Sequence, residues 1–215
     1  MQKKDTVWEQ CWKREDPRVF PQYLAPYYQL QSPEIEIFQA HHLHTVCDAG
    51  CGYGAYTLAF ASNGFEVYCF DLSPTAIEIA REALAAFGVE PAGMKATSVL
   101  DTGYPDERFD GTIAGSVLDH MTLEDAKKAL EELLRITRNG GLILLSFDSP
   151  EEEDPGTYCP LPDGSIQFTE ASPRKGMILR AYTPGEIDAF LKGQEILYRN
   201  TNPRGEQVVI FRKKN

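Results

Sequence analysis

Short apolar runs, rich in β-branched and aromatic residues, alternate with amphipathic stretches through the middle of the chain. Residues 44–48 (HTVCD), 66–71 (EVYCFD), 95–100, 109–117 (FDGTIAGSV) and 142–147 (LILLSF) read as strands. Residues 53–63, 73–87 and 122–137 carry helical spacing between them. The second helix has Ser73 at its N-cap, Pro74 at its first position and Gly88 past its end. Thr122 and Asp125 resemble a capping box at the start of the third, and Asn139-Gly140-Gly141 ends it. Strands alternating with helices at these lengths predict an α/β fold, a doubly wound parallel sheet with right-handed crossovers. Residues 142–147 are apolar throughout, as a central strand covered on both faces requires. The link 101–108 (DTGYPDER) is too short and turn-rich for a crossover helix, but it can stretch about 25 Å beneath neighbouring strands.

After the fifth strand the pattern changes. Residues 149–181 are rich in Pro, Gly and acidic groups and carry two β-like runs, 165–169 and 176–181, which predict an inserted hairpin or flap. Thr183-Pro184-Gly185-Glu186 is a capping box opening a short helix to Leu191. Residues 195–198 and 207–212 then form an antiparallel hairpin. The expected organisation is one domain over 1–215: a helical cap to residue 43, a core over 44–148, the flap, and a C-terminal helix and hairpin from residue 182.

Charge narrows the partners. Of 215 residues, 21 are Lys or Arg and 32 are Asp or Glu, a formal charge of -11 that repels polyphosphate backbones, so no nucleic-acid partner is expected. The first residues lack the apolar core of a signal peptide and no later run approaches the roughly 20 apolar residues of a membrane span, which predicts a soluble cytoplasmic protein, monomeric or homodimeric. Five cysteines are read as free thiols. Cys47 and Cys51 lack the second ligand pair that zinc needs, so no metal is expected.

The sharpest motif is Asp48-Ala49-Gly50-Cys51-Gly52-Tyr53-Gly54, between the first strand and the first core helix. Glycines there permit a tight turn and let a ligand lie against the backbone at a helix N-terminus. Asp71 ends the second strand 17 positions after Gly54, where a carboxylate can accept hydrogen bonds from ribose hydroxyls. The pair predicts an adenosine-type ligand. Gly50 to Ala55 also satisfies the dinucleotide pattern G-x-G-x-x-A. Three features favour S-adenosylmethionine over a nicotinamide cofactor. Asp48 would draw an ammonium group and repel a pyrophosphate. Asp101 is placed to accept from an adenine amino group. No tyrosine has Lys four residues on, as short-chain dehydrogenases require.

Asp48 to Gly54 as D-x-G-x-G-x-G, Asp71-Leu72-Ser73, Asp101 before Phe109-Asp110, and residues 117–141 together resemble the class I S-adenosylmethionine-dependent methyltransferases. The similarity is greatest to their small-molecule branch, which includes ubiquinone-biosynthesis and tellurite-resistance-type enzymes. It implies a seven-stranded sheet of order 3-2-1-4-5-7-6 with strand seven antiparallel. It also implies cofactor contacts at Asp48, Gly50, Gly52, Tyr53 and Gly54, Asp71 on the ribose, Leu72 beside the adenine, Asp101 and Thr102 at the adenine edge, and Ser116 and Val117 facing the methionine portion. The activity implied is methyl transfer to a small-molecule acceptor. Asn/Asp-Pro-Pro-Tyr is absent after strand four, where Ser116-Val117-Leu118-Asp119 stands, and no Pro-Cys pair suits cytosine C5 chemistry.

Methyl transfer from a sulfonium is a displacement that depends on alignment in a dry pocket. His120 is the candidate base for a thiol or phenol acceptor, with packing at the strand end as the other reading, and Asp119 and Tyr158 are fainter candidates. The aromatic segment holding Trp8, Trp12, Phe20, Tyr23, Tyr27 and Tyr28 reads either as a lid over the cofactor or as the buried stripe of a helix. Trp12, Tyr27, Tyr28 and Tyr158 are the expected acceptor contacts. His41, His42 and His44 read as a solvated turn, and the acidic run 151–154 as a solvated loop. A non-catalytic sensor of S-adenosylmethionine or its product shares all these motifs and stays open.

Overall fold

Leu142, Ile143, Leu144 and Leu145 are all fully buried. Alternation sends Ile143, Leu145 and Phe147 into one hydrophobic cluster and Leu142 and Leu144 into another, on opposite faces of a sheet. This is the fifth strand of a computed structural model that describes residues 6–148, 156–202 and 205–214. The central strands are β1 (Thr45–Ala49), β2 (Glu66–Asp71), β3 (Gly93–Ala96), β4 (Phe109–Gly115) and β5 (Thr137–Phe147). The helices are α1 (Val7–Trp12), α2 (Phe20–Leu24), α3 (Pro33–Ala40), α4 (Ala55–Ala61), α5 (Pro74–Ala85), α6 (Leu123–Ile136) and α7 (Pro184–Phe190). On α6, Ala126, Ala129, Leu130, Leu133 and Ile136 form the stripe that covers one face of the sheet, while Ile35 and Phe38 of α3 and Phe60 of α4 cover the other.

With β9 (Glu195–Thr201) and β10 (Gln207–Arg212), the sheet order is β3-β2-β1-β4-β5-β10-β9, with β10 antiparallel to both neighbours. The expected α/β class, strand order and antiparallel last strand are therefore found. The order reverses at β1, between β2 and β4, so the crevice beyond the carboxyl ends of β1 and β4 is where such a sheet accepts ligands. Residues 156–181 add a small antiparallel sheet of β6 (Tyr158–Pro160), β7 (Ile166–Phe168) and β8 (Ile178–Leu179). The acidic run 151–154 lies outside the described residues.

Helix boundaries follow their capping chemistry. The Ser73 hydroxyl accepts from Ala76 N–H, the Thr122 hydroxyl from Asp125 N–H, and Thr183 and Glu186 form the full reciprocal box. The largest departures from the expected spans of the core strands are in β3 and β5. β3 ends at Ala96, its last partner on β2, and residues 98 and 101 bridge to turn the chain. β5 begins at Thr137, because Gly140 and Gly141 exchange backbone hydrogen bonds with Lys213 and extend the strand as a bulge where a loop was expected. The link 101–108 is held without a helix: the Thr102 N–H and hydroxyl donate to Glu132 of α6, and Arg135 joins Glu132 to Asp106. Among the described residues no helix is long and apolar enough to cross a membrane.

Candidate active site

The turn after β1 is built to bring bare backbone to a ligand. Gly50 and Gly52 have φ of +71° and +53°, and a Cβ on Gly50 would stand 2.6 Å from Val117 Cγ2. The N–H groups of Gly50 and Cys51 donate to Phe70 O at 2.8 and 2.9 Å, tying the loop to β2. Asp71 completes the tie, accepting from Gly52 N–H at 3.0 Å and from Ser73 N–H at 2.9 Å. One lone pair on each of its oxygens remains for a ligand hydroxyl. Asp48 is buried and accepts from Thr57 Oγ1 at 2.6 Å. Burial outweighs that hydrogen bond and pushes the Asp48 carboxyl up to about 6, and burial likewise raises Asp71. An arriving positive charge would relieve both.

These groups open onto a cavity of about 810 Å³, within the size range of small-molecule sites. Asp48, Gly50, Gly52, Asp71, Leu72 and residues 97–100 line its β2–β3 end, and Tyr56, Ser146, Asn200 and Glu206 line the end toward β9 and β10. Ser116, Val117 and His120 stand between them. Ser116 has a φ of +50°, a conformation that costs a non-glycine residue energy and is held by its surroundings. Its N–H donates to Ser146 Oγ at 3.1 Å and its hydroxyl to Asp148 Oδ1 at 2.6 Å.

Asp148 gathers a polar cluster behind the wall. Its N–H donates to Asp119 Oδ2 at 2.8 Å, and its Oδ2 stands 3.5 Å from His120 Nε2. Burial alone would lower the His120 pKa, but the Asp148 hydrogen bond and the charges of Asp119 and Asp148 prevail and raise it. Asp119, 1% exposed, is pushed up to about 6 by burial despite the nearby imidazole. One ligand-type atom from each of Asp119, His120 and Asp148 lies within 4.8 Å of the others, a grouping that His41, His42 and His44 do not make among the described residues.

The N-terminal helix closes the cavity. Trp8 meets the His120 ring edge to face at 5.0 Å, and the Trp12 ring lies against the space a Gly52 side chain would fill. Glu9, between them in sequence, reaches the N-terminus of α5 and accepts from Ser73 Oγ at 2.5 Å, Thr75 N–H at 3.2 Å and Thr75 Oγ1 at 2.8 Å. Burial opposes its charge, but these hydrogen bonds, with Lys13 beside it, bring Glu9 down to about 2. The helix N-terminus adds to the same preference for an anion.

Residues 47–145 match the family model described as a methyltransferase domain. A 2-heptyl-1-hydroxyquinolin-4(1H)-one methyltransferase of Mycobacteroides abscessus is 34% identical over 137 residues, 60% of each chain. This stretch is thus similar to methyltransferase domains. A tRNA (carboxymethyluridine(34)-5-O)-methyltransferase of Arabidopsis thaliana is 34% identical over 110 residues, 51% of this chain and 25% of its own. The chain thus spans between a quarter and three fifths of the length of these two curated relatives. The structure of a 1,6-didemethyltoxoflavin-N1-methyltransferase of Burkholderia thailandensis, bound to S-adenosylhomocysteine, superposes with a TM-score of 0.69 at 21% identity, over 97% of this chain and 88% of that one, which shows a shared fold.

In and around the matched residues, Asp48, Gly50, Gly52, Tyr53, Asp71, Leu72, Ser116, Val117, His120, Trp12 and Tyr27 come together on the one cavity. Gly54 stands behind it, packed on Leu84. Asp101 and Thr102 do not line it. The turn after β3 brings residues 97–100 to the wall in their place, and Thr102 is committed to Glu132. Tyr28 is also elsewhere, packed at a tilt against Phe87 with ring centroids 5.5 Å apart, and Tyr158 pairs with Phe168 in the small sheet. Sequence reasoning missed Glu9, Tyr56, Glu34, Asp148 and Glu206. Asp148 stands at the end of a predicted strand and so could have been read; the others carry no local signal.

Proposed function

We propose that this chain transfers a methyl group from S-adenosylmethionine to a small-molecule acceptor held at the β9–β10 end of the cavity. The observation that carries the reading is the joining of the glycine loop, Asp48 and Asp71 to a single large cavity that extends well past them. The residues fit the cofactor: Gly50 and Gly52 leave the backbone bare, Asp48 is a buried carboxylate able to face an ammonium group, and Asp71 retains acceptor capacity for a ribose. When bound, S-adenosylmethionine supplies a methyl group on a positively charged sulfur, open to displacement. Leu72 and residues 97–100 give the adenine a partly apolar slot. Trp8 and Trp12 of α1 close the cavity over the loop and exclude water, so the segment serves as a lid while packing as a helix.

His120 is proposed to hold or accept a proton. Asp148 engages Nε2, which leaves Nδ1 as the nitrogen able to take a proton; Nδ1 is covered and lacks a well-formed hydrogen bond. A base role therefore requires the strand β8, which packs against this turn, to give way to the acceptor. Incubation with S-adenosylmethionine and a set of small phenols, amines and thiols tests the reading. Stoichiometric release of S-adenosylhomocysteine with one of them supports an enzyme. Tight binding of the cofactor with no release across the set favours the non-catalytic sensor.

A further inference from the structure

At six residues, α1 is too short to stand as an isolated helix, so it keeps its shape only while docked. Residues 13–18 behind it are exposed, and Phe20 and Leu24 of α2 then bury into a cluster with Leu58, Ile79 and Leu84. A helix with little stability of its own is thus joined by an exposed link to an anchored one. Such a segment opens locally while the fold around it stays intact.

What α1 covers is the turn that suits the cofactor. Trp12 Cζ2 stands 3.2 Å from where a Gly52 Cβ would be, and Val7, Trp8 and Trp12 line the cavity. The same helix meets the 156–181 segment: Val7 Cγ2 is 3.0 Å from where a Gly176 Cβ would be, Cys11 Sγ is 4.0 Å from Met177 Sδ, and Arg14 donates to Pro173 O at 3.4 Å. Gly176 and Met177 also line the cavity, so the two segments meet over it as a roof. Leu72 and Leu100, 42% and 41% exposed on the same wall, mark a second way in.

The polar fastening of α1 lies off the cavity. Glu9 is buried and accepts from Ser73 Oγ, Thr75 N–H and Thr75 Oγ1, and neither Glu9 nor Thr75 is among the lining residues. Protein joins protein there, so the fastening has the same strength with the cavity filled or empty. Weakening it changes how often α1 lifts, and hence how fast a ligand passes, while the equilibrium affinity stays nearly as it was.

We propose that α1 is the gate through which S-adenosylmethionine enters and S-adenosylhomocysteine leaves, and that Glu9 and Thr75 form the latch that sets its rate. This rests on the methyltransferase reading, which supplies the ligand.

Trp8 and Trp12 are the two tryptophans of the chain, so intrinsic fluorescence reports α1 directly. Stopped-flow mixing with S-adenosylhomocysteine gives the association and dissociation rate constants, and calorimetry gives Kd. In Glu9→Gln both rate constants should rise about tenfold, with Kd within threefold of wild type. Thr75→Val should raise both about threefold, and should add less than twofold in the Glu9→Gln background, because the two substitutions break one contact. The retained Kd shows that each variant is folded. Rate constants equal to those of wild type would place the route at Leu72 and Leu100 and overturn the proposal. Faster dissociation matched by an equal loss of affinity would also overturn it, making α1 a ligand contact instead of a gate. Wild-type protein that does not bind S-adenosylhomocysteine is a distinct result, and it sinks the methyltransferase reading instead.

Discussion

At the β2–β3 end of the cavity most wall groups come from residues 48–72, and backbone hydrogen bonds from Gly50, Cys51 and Gly52 hold them to Phe70 and Asp71. At the β9–β10 end the wall is drawn from Glu34, Tyr56, Ser146 and Glu206, side chains carried by elements far apart in the chain. Two buried carboxylates show the contrast between the loop and its cover. Asp48 has one hydroxyl donor and is pushed up to about 6, prepared for a positive ligand. Glu9 has Ser73, Thr75 and Lys13 around it and falls to about 2, its charge already satisfied by the protein. One carboxylate is left in need of a partner, and the other is spent on holding a lid in place. A site built from one short segment is thus kept open for a ligand, while its cover is fastened by contacts made across the fold.

Substitutions can separate the two ends. The largest effect is expected at His120: His120→Gln should lower turnover by about 10²–10⁴-fold if a proton is moved there, with S-adenosylhomocysteine affinity unchanged. Because the His120 pKa is raised and a base must be neutral, the acid limb of kcat/KM should lie above about 6.5 and move down in Asp148→Asn. Unchanged turnover at saturating acceptor removes the base and leaves His120 as packing beneath Trp8. At the other end, Gly50→Ala forces a positive φ and a clash with Val117, together about 3 kcal/mol, or roughly a hundredfold in S-adenosylhomocysteine affinity. Calorimetry showing less than a threefold change would mean that the bare loop is not the binding surface.

Smaller effects come from the two carboxylates, whose pKa values are shifted in opposite directions, so that acid disables Asp48 first and Glu9 only at lower pH. Asp48 attracts an ammonium group only when ionised, so affinity for S-adenosylmethionine should fall as pH drops through about 6, by up to roughly tenfold per unit below it, and the fall should be absent in Asp48→Asn. Glu9 is lowered, so its stabilisation of the docked α1 is complete above about 4.5 and is lost as pH falls toward 2. Glu9→Gln should cost about 2 kcal/mol of that docking, seen as faster proteolysis near residues 12–16 and a raised acceptor KM, with little change in cofactor affinity. Equal proteolysis of wild type and variant would separate Glu9 from the lid.

The same contrast explains what the sequence revealed. The alternation of strands and helices, the Ser73 and Thr183 caps and the loop from Asp48 to Gly54 are written in neighbouring residues, because turn geometry and capping are local, whereas the sheet order followed from the family resemblance. Asp101 and Thr102 were misplaced since strand ends are set by pairing: β3 loses its partner after Ala96, and the chain turns early enough to bring residues 97–100 to the wall. Tyr28 and Tyr158 are aromatic and near the right segments, but only tertiary packing sends Tyr27 to the cavity and Tyr28 to Phe87. Glu9 could not be read at all, for its partners Ser73 and Thr75 lie more than sixty positions away.

Calorimetric titration of the purified chain with S-adenosylmethionine, S-adenosylhomocysteine and NAD(H), alongside Asp71→Ala, tests the central claim most directly. Micromolar binding of the first two, lost in the variant, is the predicted result. Tight NAD(H) binding with no response to S-adenosylmethionine would contradict it.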